Sequence, residues 1–284
     1  MIKKIIKNII PDKIYIKYQY KKYYGRKPNL KNPKLLSEKI AYLKLYDHNP
    51  SYSKIVDKIS MKEYVSKNVG SEYVVPLLGV WDDWKKIDFD LLPNSFVLKA
   101  NADSGSVFAI KDKFNFDKVY VEQKLIYSLK HNYYYNSREW PYKNVKRRIL
   151  AETFLFDANN HDALVDYKFF CFNGKPKIMY IGKDRGNHPT SDWFDMNFNK
   201  VNMSSVDPNS NDEISKPIQF DEMKIISEKL SRGIPLLRVD FYIVNNRCYV
   251  GELTFYHNAG FFNFKPQDVD MKLGQMLDIK LKHK

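Results

Sequence analysis

The chain has 284 residues with 44% hydrophobic and 15% aromatic side chains, enough apolar material for a packed interior, so global disorder is excluded. No apolar run approaches the ~18–20 residues that span a bilayer, and two cysteines, Cys171 and Cys248, exclude a disulfide framework or a Cys-based zinc site. The net charge of +14 is concentrated at one end: residues 1–34 carry eleven Lys/Arg against Asp12 alone, leaving +4 for the rest, which argues against a nucleic-acid enzyme.

In chain order, Ile2, Ile5, Ile6, Ile9 and Ile10 recur at helical spacing with Lys3, Lys4 and Lys7 between them, and Pro11 closes the pattern. A short basic amphipathic helix of this kind lies on an anionic membrane; the alternative is an ordinary helix packed on its own domain. Lysines inside the apolar stretch and the lack of a small-residue cleavage site argue against a signal peptide. Tyr18, Tyr20, Tyr23 and Tyr24, among Lys17, Lys21, Lys22, Arg26 and Lys27, also suit an acidic polysaccharide or a nucleic acid. Helices are predicted over 35–47, with Ser37 as a candidate cap, and over 54–69, closed by Gly70. Residues 73–80 read as a short strand and loop, 95–99 as a strand after the Pro93-Asn94 turn, 101–106 as a small polar loop, and 107–111 as another strand. A helix follows over 117–131, then a strand and bend over 146–156. Residues 164–173 and 176–182 form a hairpin through Asn173-Gly174. A long polar loop covers 202–217, a helix 221–232, strands 236–244 and 248–255, and a last helix ends the chain. This order defines an α+β body. Both cysteines fall in its apolar strand-like runs, where buried thiols in a reducing cytoplasm are expected.

Glycine-rich dinucleotide and phosphate loops, the Gly-x-Ser-x-Gly elbow and a His-x-x-x-His pair are absent. Two Asp-x-Asp triplets, Asp88-Phe89-Asp90 and Asp268-Val269-Asp270, match a metal-holding pattern of glycosyltransferases, although chance alone yields about two in a chain of this composition. Three constellations carry more. Lys99 ends an apolar strand, where it is costly to bury without an anion, and the loop after it can aim backbone N–H groups at phosphate oxygens. The plain alternative is a surface lysine before a turn. Arg238 and Asp240 share one face of an apolar strand, and Glu252 lies within the next. An acid pair suits Mg²⁺ and an arginine suits phosphate; a buried salt bridge is the alternative. Glu152, within Ile149-Leu150-Ala151-Glu152-Thr153-Phe154-Leu155, places a carboxylate and strand-end backbone where an adenine edge could be read, unless the strand end is simply exposed.

Ser37-Glu38-Lys39-Ile40, Asp57-Lys58, Glu72-Tyr73-Val74-Val75-Pro76, Phe96-Val97-Leu98-Lys99, residues 166–174, Arg238-Val239-Asp240-Phe241-Tyr242 and Gly251-Glu252-Leu253-Thr254-Phe255, in this order, resemble an ATP-grasp enzyme. The resemblance is greatest to the teichuronopeptide-biosynthesis branch of polysaccharide and capsule gene clusters, and it runs from Pro33 to Gly274. It implies an α+β ATP-grasp fold with a small lid subdomain and a mixed or antiparallel catalytic sheet. The implied divisions are a basic N-terminal arm (1–30), a helical and strand region (31–92), the lid subdomain (93–155) and the catalytic subdomain (156–284). By resemblance, Lys58 and Lys99 would hold ATP phosphates under a flexible lid of Ser104, Gly105 and Ser106. Glu152 and the backbone of Phe154 and Leu155 would form the adenine hinge, and Asp166 would take the ribose hydroxyls. Arg238 and Lys168 are the catalytic candidates, Arg238 through the γ-phosphate or an acyl-phosphate. Asp240, Glu252 and Thr254 would hold Mg²⁺. Thr254 stands where many relatives carry asparagine, and Asn258 is the alternative donor. The loop after Lys99 has one glycine where broader relatives often have several.

The implied reaction is ATP-dependent ligation of a carboxylate to an amine through an acyl-phosphate. In this branch a uronic acid or an amino acid is the expected carboxylate, and the amide decorates a surface polysaccharide. The expected location is the cytoplasm, peripheral to the inner membrane face through residues 1–30. A glycosyltransferase using an Asp-x-Asp triplet and a non-catalytic polysaccharide- or membrane-binding protein on this scaffold remain open. One geometric expectation decides the metal assignment, because directly opposed residues of an antiparallel pair share a face. A two-residue Asn245-Asn246 turn alone would set Asp240 against Gly251. A three-residue loop from Asn245 to Arg247, or a bulge of equal effect, sets Asp240 against Glu252, and that is predicted.

Overall fold

A computed structural model describes residues 9–156, 164–183 and 188–281. Ile2, Ile5, Ile6 and their lysines lie outside the described residues, and Ile9 is exposed. Pro11 opens a helix, α1 (Asp12–Tyr24), its carbonyl accepting from the amides of Ile14 and Tyr15 at 3.0 Å each. Proline lacks only an N–H that a first turn leaves unpaired. Tyr15, Ile16 and Tyr20 are buried, the last two against Ala41 of α2 (Leu36–Tyr46).

The periodicity over 54–69 runs through a break. The structure has α3 (Tyr52–Val56) and α4 (Ser60–Val69), parted at Asp57, whose carboxylate accepts from the Ile59 amide and the Ser60 hydroxyl at 3.0 Å each. A side chain that bonds its own downstream backbone competes with the helix, and the result leaves Lys58 in the connection.

Strands β1 (Leu77–Trp81), β2 (Phe96–Ala100), β3 (Val107–Ile110) and β4 (Ile149–Thr153) form an antiparallel sheet in the order β1-β4-β2-β3. Phe96, Leu98, Ala100, Ile149 and Ala151 pack with Val121 and Leu125 of α5 (Lys118–Lys130). Alternation therefore turns Lys99 and Glu152 to the opposite face. Asp117 caps α5 by accepting from the Tyr120 amide at 2.9 Å. Between α5 and β4 the chain forms α6 (Tyr134–Ser137) and a single 3₁₀ turn at Trp140–Tyr142, and Tyr134, Tyr142 and Val145 join the core of the second sheet rather than that of the first.

The second sheet comprises β5 (Asp166–Phe172), β6 (Lys175–Lys183), β7 (Thr190–Asp195), β8 (Leu236–Val244) and β9 (Arg247–Thr254), antiparallel in the order β7-β6-β5-β8-β9. Asn173 and Gly174 adopt φ of 50° and 80°, which closes the expected β5–β6 hairpin. β7 escapes the sequence pattern because Asp192 is fully buried within it, satisfied by Ser210 and paired with Lys200 at 2.7 Å. Phe169, Cys171, Leu237 and Val239 are buried on the face that α7 (Phe220–Ser231) covers. Helix α8 (Val269–Gln275) packs on α2. The result is an α+β architecture of two antiparallel sheets. Among the described residues no helix is long and apolar enough to cross a membrane.

Candidate active site

On the second sheet, register builds a charged row. Lys168 lies opposite Asp240, and Asp240 opposite Glu252; one step along, Phe170 lies opposite Arg238 and Arg238 opposite Thr254. The β8–β9 turn has two residues, Asn245 and Asn246, at φ of 48° and 61°, with Val244 opposite Arg247. Gly251 is then the extra residue of a bulge between the Phe241–Val250 and Asp240–Glu252 pairs. The bulge restores the parity, so both carboxylates share a face.

Asp240 is the hub of that face. Arg238 donates from Nε to Oδ1 and from Nη2 to Oδ2 at 2.6 Å each, and Lys168 Nζ reaches Oδ2 at 2.7 Å. Burial alone would raise the Asp240 pKa; Arg238 and Lys168 outweigh it and hold the carboxyl well below the usual range. Lys168 also bonds Asp166 at 3.1 Å. Burial works against the charges of Lys168 and Arg238, but Asp240 outweighs it and raises both pKa values. Arg238 further contacts Thr254 Oγ1 at 3.1 Å, Glu252 at 3.8 Å and His257 Nδ1. Burial and then the Arg238 charge push His257 well below its usual pKa, so its ring is neutral and Nδ1 accepts.

The first sheet supplies a second ionic cluster. Glu152, buried, joins Lys99 and lies 2.7 Å from Lys62. Burial raises the Glu152 pKa, but the two lysines outweigh it and the net direction is down. Lys58 bridges the regions: its Nζ donates to the Asp103 carbonyl at 2.5 Å and lies 3.6 Å from Glu252. Asn101 ties the α3–α4 connection to the end of β2, donating to Asp57 at 2.7 Å while its backbone carbonyl accepts from the Lys58 amide at 3.1 Å. In the 102–106 loop, Asp103 Oδ2 accepts from Ser106 at 2.6 Å and Ser128 at 2.5 Å, and Gly105 has φ of 101°.

Of the sequence-derived candidates, Lys168, Arg238, Asp240, Glu252, Thr254 and Asp166 gather on one sheet face, and Lys99 and Glu152 meet on the other sheet. Ser104, Gly105 and Ser106 occupy the loop whose Asp103 meets Lys58. Phe154 and Leu155, half-buried, follow β4 directly. Asn258 is exposed in the 257–260 turn at φ of 48°. Lys62 and His257 carry no sequence signal, since each is defined by partners distant in the chain. The Asp-x-Asp triplets serve local structure: Asp88 accepts from the Asp90 amide at 3.0 Å, Asp270 accepts from Ser37 at 2.9 and 2.6 Å, and Asp268 pairs with Lys272.

Among the described residues, no three acidic, histidine or cysteine side chains cluster as a closed metal cage. Mg²⁺ does not require one, because it is commonly held by one or two carboxylates plus substrate phosphates and water. Asp240 and Glu252, hard oxygen donors on one face, fit that demand.

A sheet bearing Lys99 beside a sheet bearing Arg238, Asp240 and Glu252 is an ATP-grasp arrangement. The chain belongs to the TupA-like ATPgrasp family, matched over residues 38–278, the teichuronopeptide-cluster branch that the sequence resembles. No curated protein matches the chain. Solved structures similar to it include D-alanine–D-alanine ligase from Bacillus anthracis (16% identity, TM-score 0.40, covering 76% of this chain and 57% of that one). The ATP-grasp ligase PsnB complexed with minimal precursor is similar at 12% identity and TM-score 0.43, covering 83% and 67%. D-alanine–D-alanine ligase from Helicobacter pylori is similar at 17% and 0.41, covering 85% and 69%. The chain thus spans little more than half the length of the Bacillus anthracis ligase.

Proposed function

We propose that the protein is an ATP-dependent carboxylate–amine ligase that makes ADP and phosphate through an acyl-phosphate, joining an amino acid to a uronate-bearing saccharide of a surface polysaccharide. The observation that carries this reading is the row Lys168–Asp240–Glu252 with Arg238 beside it, faced by Lys58: buried cations and paired hard-oxygen donors of a set suited to terminal phosphates. Family membership supports the ATP chemistry; the uronate and the amino acid rest on the branch the sequence resembles.

In this reading Lys58 and Lys99 bind the phosphates, and Glu152, Phe154, Leu155 and Asp166 take the nucleoside. Arg238, fixed bidentately by Asp240 and from the far side by His257, orients the transferring phosphoryl group and the acyl-phosphate. Lys168 holds Asp240 in place. Mg²⁺ held by Asp240 and Glu252, with Thr254 beside them, would neutralise phosphate charge during transfer. The protein contributes position and charge rather than a covalent nucleophile. Residues 1–30 supply a basic surface for an anionic membrane.

The test is direct. With ATP, Mg²⁺, a uronate oligosaccharide and pooled amino acids, mass spectrometry should find coupling with loss of water, matched by ADP and phosphate. Sugar transfer from a nucleotide-sugar without ATP consumption would overturn the reading in favour of a glycosyltransferase.

A further inference from the structure

The run that leads into β4 is basic and has no role in the scheme above. Residues 140–151 hold Lys143, Lys146, Arg147 and Arg148 and no acid. Lys143 and Lys146 are exposed, and Arg147 and Arg148 are half-buried. Arg147 turns toward α5, donating from Nε to the Leu129 carbonyl at 2.7 Å. Alternation then carries Arg148 to the other face of the first sheet, the one that bears Lys99 and Glu152. There its Nη2 reaches Asp57 at 3.4 Å.

Asn101 ties this run to the proposed phosphate end. It is fully buried, and each of its polar groups is used. Nδ2 donates to Asp57 at 2.7 Å and to the Lys146 carbonyl at 2.9 Å, and Oδ1 accepts from the Arg148 amide at 2.6 Å. Its backbone amide donates to the Arg148 carbonyl at 3.0 Å, and its carbonyl accepts from the Lys58 amide at 3.1 Å. Lys58 in turn lies 3.6 Å from Glu252. One asparagine thus fixes Arg148 and Lys146 beside the reaction face.

The Arg148 fork is underused in that position. Asp57 already accepts from Ile59 and Ser60 at 3.0 Å and from Asn101 at 2.7 Å, and 3.4 Å is long for a charge-assisted bond. Arg148 Nε is buried with no hydrogen-bond partner among the described residues, while the side chain as a whole is 29% exposed. Asp82, which follows Trp81 opposite Ile149, is engaged by Lys86 at 2.8 Å. Among the described residues neither Lys143 nor Lys146 forms an ion pair.

Resting on the ligase reading, we propose that Arg148 and Lys146 form an anion subsite for the saccharide substrate. With one carboxylate at the reaction face, the negative group of a neighbouring sugar unit is held by the Arg148 fork, and Lys146 meets the chain beyond it. An arginine fork matches a carboxylate bidentately, and successive cations suit successive anions along a chain. A nucleic acid fits less well. Tyr134, under the Lys143 ammonium, and Tyr142 are buried and offer bases no face. An ATP phosphate offers anionic oxygens of the same kind, and the test separates the two.

The test uses the full chain with ATP, Mg²⁺, hydroxylamine as the nucleophile, and galacturonate or its hexamer as the carboxylate probe, with concentrations counted per uronate unit. In the wild type the KM for the hexamer should lie about tenfold or more below that for the monomer, the worth of one charged hydrogen bond. Arg148→Gln should bring the two within about threefold while the KM for ATP holds, and Lys146→Gln should close part of the gap. A rise in the KM for ATP alone would assign Arg148 to the nucleotide, and an unchanged monomer-to-hexamer ratio would place the chain elsewhere. Either result overturns the inference and leaves the ligase reading in place. No hydroxamate from the wild-type protein would remove the ligase reading. Calorimetric titration with the hexamer then decides: binding that Arg148→Gln abolishes upholds the subsite, and binding that it leaves intact, or no binding by the wild type, overturns it. Displacement of the hexamer by a thymidine hexanucleotide at lower concentration overturns it in favour of nucleic acid. If Arg148→Gln does not fold, Lys146→Gln, at an exposed position, carries the same ratio: a narrowed gap supports the inference, and an unchanged one overturns it.

Discussion

Asp240 answers to several demands at once: two buried cations require its charge, and the proposed metal requires its oxygens. Replacing it by asparagine removes the counter-charge that Arg238 and Lys168 share, leaving Lys168 with Asp166 at 3.1 Å and Arg238 with Glu252 at 3.8 Å, and breaking such a buried pair costs about 3–5 kcal/mol. We expect Asp240→Asn to lower the melting temperature and to reduce turnover by about 10²–10³-fold, with a smaller effect on ATP affinity, because the lost charge matters most as the phosphoryl group transfers. The pH dependence follows from the direction of the shift. The folded-state pKa is depressed below the unfolded value of about 3.9. The stabilisation is therefore complete above that value and drains away as the pH falls toward and through the folded-state pKa. Calorimetry from neutral to strongly acid pH should show a shallower acid limb for Asp240→Asn than for the wild type; parallel limbs would mean that Asp240 is not the group responsible. Lys99 differs, because Glu152 retains Lys62 when it is removed. Lys99→Ala should weaken ATP binding by about 10–100-fold, the worth of one charged hydrogen bond, by isothermal titration. A fold that melts before binding can be measured would assign Lys99 to structure instead.

At the level of elements, the β8–β9 hairpin shows how two local features cooperate. The tight Asn245-Asn246 turn alone would put the two carboxylates on opposite faces, and the bulge at Gly251 reverses that. The 102–106 loop has a comparable tension. Asp103 is bound through its side chain to Ser106 and Ser128 and through its carbonyl to Lys58, so the loop is tethered to an ammonium proposed to hold phosphate. Amide exchange over 103–106 should slow when ATP and Mg²⁺ are added, since a loop that closes on a ligand belongs to the less stable part of a fold. Unchanged protection would count against a lid. Features set by near neighbours were legible in the sequence: the Asn173-Gly174 hairpin, the helix Asp117 begins, the loop after Lys99, and the alternation that pairs Arg238 with Asp240. Features set by distant partners were not. Asp57 breaks a periodic helix through bonds that periodicity does not weigh, Asp192 hides a strand by being buried and polar, and Lys62 looks like any helix-surface lysine until Glu152 meets it. His257 belongs to the same group, and the bulge was legible only as a parity requirement.

For the whole molecule, the basic amino-terminal segment has two parts with different work. From Asp12 onward it belongs to the body. Arg138 is 1% exposed, lies 2.9 Å from Asp12 and is bracketed by the rings of Tyr15, Tyr134 and Tyr135 at 4.3, 5.5 and 5.2 Å. Tyr24 reaches further, donating to the Gly260 carbonyl at 3.1 Å and accepting from the Phe262 amide at 2.9 Å, close to the turn that carries His257. The outer face of α1 is different, with Ile14, Tyr18 and Tyr23 exposed among the exposed Lys13, Lys21 and Lys22. That combination of apolar tips and lysines suits an anionic membrane surface. Deleting residues 1–10 should therefore leave the fold and ligation of soluble substrates nearly intact and weaken binding to phosphatidylserine vesicles. The remaining binding should be strongly salt-sensitive, because exposed lysines act within a Debye length. Deleting residues 1–24 should instead destabilise the protein severely. It takes Asp12 away from buried Arg138, at about 3–5 kcal/mol, and strips Ile16 and Tyr20 from the core at about 1.5–3 kcal/mol each. Melting curves and vesicle sedimentation on the two truncations separate these contributions. Unfolding of the shorter truncation would make the first ten residues part of the packed body, and full vesicle binding by it would move the membrane contact onto α1 alone.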